Sequence, residues 1–345
     1  MKYKNRLLIA FHAILISLLL ISGSYAQQAG LDPIDVERTG TAGWQFLKIN
    51  VDARMAGMGG AFTAVSHGDV GSVFGNPAAL VGVQNFDVAF YNISYVADIN
   101  YYAAAIAKNF EGIGLFALSV NSLDMGDIPR TINSVIPGEG RTEAIVTGET
   151  FTGGDFAVGL TYARQITEQL SIGGSIRWIQ ESLDDVVDPL KMSNVSFDFG
   201  TIFYTGWRSL RLAMSARNFG PDQNLTGWSE EYQIEPVDVR MPIDFRLGVG
   251  MDFLDSENSP HFLTFVAEFL HPSDGPEKVN TGAEYWFNNI LALRAGYRFN
   301  YDEESYTFGA GLKYGVGDFA GRVDYAFADF GLLEQVHMFT LGINF

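Results

Sequence analysis

The sequence predicts an all-β protein: a fourteen-stranded antiparallel transmembrane β-barrel with an N-terminal plug. Three observations predict it. A secretory leader opens the chain, apolar residues alternate with small or charged ones from Phe86 onward, and the last strand ends on a phenylalanine. The composition agrees, with 47% hydrophobic and 14% aromatic residues, 38 glycines and no cysteine. The absence of cysteine excludes a disulfide scaffold and a thiolate metal site. A formal net charge of -18 argues against nucleic acid and anionic lipid head groups as partners.

The leader comes first. Lys2, Lys4 and Arg6 precede an apolar run from Leu7 to Ile21, and Ser24-Tyr25-Ala26 offers small residues where a signal peptidase reads. The run is short for a bilayer-spanning helix, so residues 1–26 are expected to be a cleaved signal peptide. Cleavage removes basic residues only and leaves the mature chain more acidic. Residues 27–82 are expected to form an N-terminal periplasmic segment and a lumenal hatch, and residues 83–345 the barrel. The expected location is the bacterial outer membrane, with outer-membrane lipid around the wall.

Next comes Ala53 to Leu80, which lacks the alternation of a half-buried strand, and its glycines argue against a long regular helix. Small residues recur at Ala53, Ala56, Gly57, Gly59, Gly60, Ala61 and Ala64, a pattern that lets backbone approach another surface closely. Asn76-Pro77 reads as a helix start, with Asn as N-cap and Pro at the first helical position. Such an irregular stretch is tolerated at membrane depth only when buried in protein. Bulky residues at Gly59 or Gly60 are therefore expected to loosen the plug.

The strands follow. Phe86, Val88 and Phe90 alternate with Asp87, Ala89 and Tyr91; Ile243, Phe245, Leu247, Val249, Met251 and Phe253 alternate with Asp244, Arg246, Gly248, Gly250 and Asp252. Segments of about nine to eleven residues, the length of a tilted membrane strand, start near Phe86, Tyr101, Ile113, Asp155, Leu170, Asn194, Arg208, Pro242, His261, Glu277, Ile290, Ser305, Asp318 and Val336. Every second connection is short, as at Asn288-Asn289, and most of the others are long, as from Ser122 to Gly154, Glu181 to Ser193 and Gly220 to Met241. Short periplasmic turns and long outer loops are the pattern of outer-membrane barrels. Trp178, Trp207, Tyr285 and Tyr314 fit interfacial girdles, whereas Trp286 falls on the inward register.

With the apolar register facing lipid, the lumen receives Arg177, Arg211, Arg217, Arg246, Arg294, Arg298, Lys313 and Arg322. It also receives Asp198, Asp244, Asp252, Glu268, Glu284 and Asp324. On the lipid face near the midplane each Arg or Lys would cost about 2–4 kcal/mol, and each Asp or Glu less. These residues read as a ladder of lumenal ion pairs; steering of an anionic solute is the other use. The acidic surplus lies in the expected loops, at Glu181, Asp184, Asp185 and Asp188, at Asp222, Glu230, Glu231, Glu235 and Asp238, and at Asp302, Glu303 and Glu304. None of it has calcium-loop spacing, so a solvated rim is the reading. The last strand places Phe339, Leu341, Ile343 and Phe345 on one face and resembles the C-terminal signal read by the barrel assembly machinery.

No enzyme motif is present. His12, His67, His261, His271 and His337 make no zinc-binding pattern, and there is no nucleophile elbow. Gly309-Ala310-Gly311 and Gly315-Val316-Gly317 imitate a dinucleotide loop but fall within strand alternation, where glycine is expected to relieve crowding in a curved sheet. No cofactor or metal is expected. A few outer-membrane barrels modify lipids with a surface Ser and His, and His67 is the histidine to check for that.

Trp44-Gln45-Phe46-Leu47-Lys48-Ile49, the run Asp52 to Val65, and Gly75-Asn76-Pro77-Ala78-Ala79-Leu80 together resemble the N-terminal signature of the PorV/PorQ family. That family is related to the FadL-type fatty-acid transporters. The resemblance covers about forty residues; elsewhere it is one of strand count and pattern. It implies a FadL-like barrel closed by a hatch, with Ala53, Arg54, Gly57, Gly59, Gly60, Asn76 and Pro77 in the hatch. It also implies a role in type IX secretion, with the translocon and the C-terminal signal domains of secreted cargo as partners. The alternative is a FadL-like channel for hydrophobic small molecules, which a lateral opening and an apolar pocket beside the hatch would favour.

Overall fold

The computed structural model describes residues 40–66, 68–135, 142–183, 190–224, 238–254, 259–317 and 319–345. The expected signal peptide, His67, and the acids at Asp184, Asp185, Asp188, Glu230, Glu231 and Glu235 lie outside them. Fourteen strands make one closed antiparallel barrel. They are β1 (Phe86–Ser94), β2 (Asn100–Phe110), β3 (Gly114–Val135), β4 (Thr142–Gln165), β5 (Leu170–Leu183), β6 (Leu190–Tyr204) and β7 (Arg211–Phe219). After a long connection come β8 (Asp244–Phe253), β9 (His261–Pro272), β10 (Lys278–Phe287), β11 (Leu291–Phe299), β12 (Tyr306–Val316), β13 (Phe319–Asp329) and β14 (Gln335–Asn344).

Alternation becomes the wall. In β8, Asp244, Arg246, Gly248 and Gly250 are buried towards the lumen, while Phe245, Leu247 and Val249 face outward. The ring shuts where β1 pairs with β14. There Phe86 and Phe345 exchange backbone hydrogen bonds of 2.9 Å in both directions. Their rings meet at 4.7 Å between centroids. The turns obey local chemistry: Asn288 and Asn289 have φ of 53° and 54°, as a type I′ turn requires, and Ile290 N–H closes that turn on the Phe287 carbonyl at 3.0 Å.

Two expectations are corrected. The stretch from Ser122 to Gly154 is mostly paired rather than looped, because β3 and β4 continue past the barrel as a two-stranded ribbon. Ile132 opposes Ile145 and Thr131 opposes Val146. Register shifts interrupt the ladder between Asp124 and Asp127 and between Pro129 and Thr131. A ribbon with no buried face has no reason to alternate, which is why β4 begins at Thr142 and not near Asp155. Similarly, the expected loop from Glu181 shortens as β5 runs to Leu183 and β6 starts at Leu190.

The segment from Gly40 to Val83 fills the lumen. Its path starts at the long-loop end, where Gly43 N–H donates to Arg240 O at 3.0 Å and Lys48 pairs with Asp274. It finishes at the short-turn end, two residues before β1. The described start of the segment therefore lies at the long-loop mouth, opposite the short turns. A short helix α1 (Ala53–Gly57) lies against β12 and β13, and a 3-10 turn at Pro77–Gly82 lies against β4, β5 and β6. Asp52 caps α1 by accepting from Arg54 N–H at 2.8 Å. Asn76 caps the 3-10 turn by accepting from Ala78 N–H at 3.1 Å, with Pro77 following it.

Candidate functional site

Glycine meets glycine where the plug touches the wall. A Cβ on Gly57 would lie 3.1 Å from Gly309 Cα, and one on Gly296 would lie 2.1 Å from Gly59 N. Gly173 faces Pro77 and Gly250 faces the Ala64 carbonyl in the same way. The wall glycines on these inward registers thus serve close approach of the plug backbone, a use that the strand pattern alone assigned to sheet curvature.

Polar groups fasten this contact. Arg54 grips Glu284 with two hydrogen bonds, Nε to Oε2 at 2.8 Å and Nη2 to Oε1 at 2.7 Å, and reaches Asp69 at 3.2 Å. Glu284 also accepts from Arg294 at 2.7 Å, and Arg294 continues to Asp324 at 2.7 Å. Arg322 holds Asp69. On the other side, Arg211 bonds Asp252 through two nitrogens and donates from Nε to the Ala64 carbonyl at 2.6 Å. Arg246 pairs with Asp244 and Glu268, while Glu268 accepts from the plug N–H groups of Phe62 and Thr63 at 3.1 and 2.8 Å.

Further contacts complete the arrangement. Arg298 pairs with Glu304 and donates to the Gly59 carbonyl, and Arg217 donates to the Leu47 carbonyl at 3.2 Å. Arg177 joins Asp198 at 2.6 Å and Asn218 at 2.7 Å. A bulge in β7 turns both Arg217 and Asn218 inward opposite Asp198. Ala53 N–H bonds Thr340 Oγ1 at 3.1 Å, and Asn76 Nδ2 bonds the Thr63 carbonyl at 2.8 Å. The inward arginines therefore bind wall acids and plug carbonyls, as an ion-pair ladder does. Removing one partner from such a buried pair costs about 3–5 kcal/mol.

The plug carboxyls differ sharply. Burial would raise the Asp69 carboxyl, but Arg322 and Arg54 beside it hold it below the ordinary carboxylate range. Burial pushes Asp52 up to about 7, reinforced by the Asp69 charge and opposed by Arg322. Its Oδ2 has no hydrogen-bond partner.

Two cavities flank the plug and share no lining residue. The smaller, about 310 Å³, opens at the short-turn end among Val65, Ala79, Gln84, Glu168 and Tyr204. The larger, about 680 Å³, lies at the long-loop end. Its apolar wall includes Trp44, Phe46, Ile99, Leu123, Phe330 and Met338; its charged wall includes Lys48, Arg246, Asp274 and Arg298. The sequence reading missed this cavity because its walls come from strands and loops spread over the whole chain. Glu181, expected as a solvated rim acid, is instead half-buried there and accepts the Trp44 N–H at 3.1 Å. The outward face of β14 shows Phe339, Leu341, Ile343 and Phe345. His261 and His337 are each bonded to and stacked on a tyrosine, Tyr285 and Tyr325.

A closed fourteen-strand antiparallel ring with an apolar outer face and a packed lumen defines the class: a transmembrane β-barrel with a plugged lumen. No protein-family model and no curated protein sequence matches the chain. Among solved structures, it is similar to the toluene transporter TbuX of Ralstonia pickettii, with 13% identity, a TM-score of 0.52, and 84% of this chain and 96% of that one covered. It is also similar to the toluene transporter TodX of Pseudomonas putida, with 10% identity, a TM-score of 0.53, and the same coverage of 84% and 96%. A TodX deletion mutant, described as a monoaromatic hydrocarbon channel, aligns at 12% identity over 85% of this chain and 98% of that one, with a TM-score of 0.55. At such identities the likeness is one of fold.

Proposed function

We propose that this barrel admits hydrophobic small molecules across the outer membrane, with the 680 Å³ cavity above the plug as the first binding site. The observation that carries the reading is the apolar wall of that cavity, built partly by the plug itself through Trp44, Phe46 and Ile49. Small ligands use concave sites that combine apolar surface with placed polar groups, and this one joins its apolar wall to a wall carrying Lys48, Arg246, Asp274 and Arg298. The solved transporters of the same fold support the substrate class by analogy, and fold alone does not fix function. Of the two features that favour this reading, a pocket lies beside the hatch, with one apolar wall and one charged wall. Among the described residues, every neighbouring pair of strands is bonded, so no lateral gap is open. Passage therefore requires the plug to shift, and the plug is the candidate gate.

The type IX secretion reading remains as a second proposal, supported by the resemblance of residues 44–80 and by the projecting β3–β4 ribbon. That ribbon exposes Ile132, Ile145 and Val146, a surface suited to a protein partner such as a translocon barrel or a cargo signal domain. One experiment separates the two. Proteoliposomes carrying the full chain should take up labelled toluene faster than empty ones, and a ribbon deletion should leave that rate unchanged. Uptake equal to that of empty vesicles would overturn the channel reading.

A further inference from the structure

Nearly every buried carboxylate in the lumen described above faces a cation. Glu284, Asp324, Asp252, Asp244, Glu268 and Asp198 are each ion-paired. Among the described residues, Asp52 and Asp87, buried where the plug meets the wall, carry no ion pair either, but only one unpaired buried site lines the outer cavity. Asp155 of β4 and Glu181 of β5 are direct cross-strand partners, and both line the outer cavity. Asp155 is only 6% exposed, and its Oδ1 has no hydrogen-bond partner. Glu181 accepts one N–H, from Trp44. Among the described residues, neither acid has a basic group within ion-pair distance.

Two like charges directly opposite each other on a sheet repel, and a buried unpaired carboxylate loses hydration without compensation. The cations of the same cavity do not relieve them. Lys48 is taken by Asp274, Arg246 by Asp244, Arg298 by Glu304, and Lys278 lies 4.1 Å from the centroid of the Tyr301 ring. The site is therefore short of one positive charge. Its surroundings decide which kind. Among the described residues, no group of three His, Cys, Asp or Glu is placed to hold a metal. The neighbours are instead Leu123, the direct partner of Asp155 on β3, together with Trp44 and Met125 in the same cavity.

We propose that the outer cavity takes a cationic amphiphile, an alkyl or aryl ammonium. Its charge sits between Asp155 and Glu181, and its apolar body lies along Trp44, Leu123 and Met125. The inference rests on the reading that small apolar molecules enter this cavity, and it adds a charge requirement. An ammonium donates up to three hydrogen bonds, which matches the open acceptors of the two carboxylates. It needs no preformed coordination sphere.

The test uses the purified full chain in detergent and three probes of one shape: 2-phenylethylammonium, neutral 2-phenylethanol and anionic 3-phenylpropionate. Affinities are read by calorimetry. The ammonium should bind at least about tenfold tighter than the alcohol, and the anion weakest. In the variant combining Asp155→Asn and Glu181→Gln, the ammonium's advantage should fall below about twofold while alcohol binding persists. Glu181→Gln alone, a half-buried position, provides a second variant and should give an intermediate loss; retention of heat-modifiable mobility verifies that each barrel is closed. Equal binding of ammonium and alcohol by the parent, or an advantage that survives both variants, overturns the charge requirement and leaves the channel reading intact. Failure of all three probes to bind overturns both.

Discussion

Replacing Gly296 with alanine tests the seating of the plug. The new Cβ would lie 2.1 Å from Gly59 N and 2.4 Å from the Met58 carbonyl carbon. Ordinary van der Waals contact begins near 3.4 Å, so the plug backbone must retreat by about 1.3 Å. Three hydrogen bonds hold it in place: Gly59 N–H to Thr307 Oγ1 at 2.9 Å, Thr307 Oγ1 to the Gly57 carbonyl at 3.1 Å, and Arg298 Nε to the Gly59 carbonyl at 3.3 Å. Overpacking of this kind costs about 1–3 kcal/mol, and each weakened hydrogen bond adds about 1 kcal/mol. The plug should therefore lose about 4–6 kcal/mol of docking if all three weaken, while the strand ladder persists. Planar-bilayer recordings of Gly296→Ala should show higher, noisier conductance than the parent. Gly321→Ala is the control, since a Cβ there meets nothing nearer than the Tyr314 carbonyl at 4.0 Å. If Gly296→Ala conducts like that control and like the parent, the plug is not seated on the glycine wall.

Two further outcomes are expected. Asp52 keeps its proton in the folded protein up to about pH 7 but loses it near pH 4 when unfolded, so its contribution to stability falls as pH rises through that window. Asp52→Asn retains the acceptor for Arg54 N–H and removes the penalty. It should raise the temperature of heat-modifiable mobility at pH 8, by a free energy on the order of a few kcal/mol, and change little at pH 4.5; an equal shift at both pH values would reject this account. Phe345→Ala removes a ring in contact with Phe86 and Phe319 at the β1–β14 seam. It should lower the amount of folded protein in the outer membrane more than it slows refolding of purified chain in detergent, and unchanged abundance would rule out a terminal assembly signal.

Most of the wall was legible in the sequence, because lipid on one side and a packed lumen on the other force alternation along every spanning strand. Strand starts at Phe86, Leu170 and His261 were readable to the residue. The inward register of Arg177, Arg211 and Arg294 was legible for the same reason. Their partners were not: Arg54 finds Glu284 and Arg211 finds the Ala64 carbonyl across long stretches of chain, and no local period encodes such pairings. The β3–β4 ribbon escaped notice because solvent on both faces removes the pattern. Gly296 and Gly309 were visible as glycines, but their use depends on what lies opposite. The unmatched Asp155 and Glu181 became visible only as cross-strand neighbours, since in sequence Asp155 looks like an ordinary strand start and Glu181 like a loop acid.

The route of the plug bears on how the molecule is made. The segment from Gly40 to Val83 reaches from one mouth to the other and is translated before any strand, whereas the β1–β14 seam can form only after the last strand exists. A thread encircled by strands must be inside before the ring shuts. The plug is thus positioned to act as a mandrel, with glycines on the strands as its bearing surface, and the order of synthesis becomes part of the architecture.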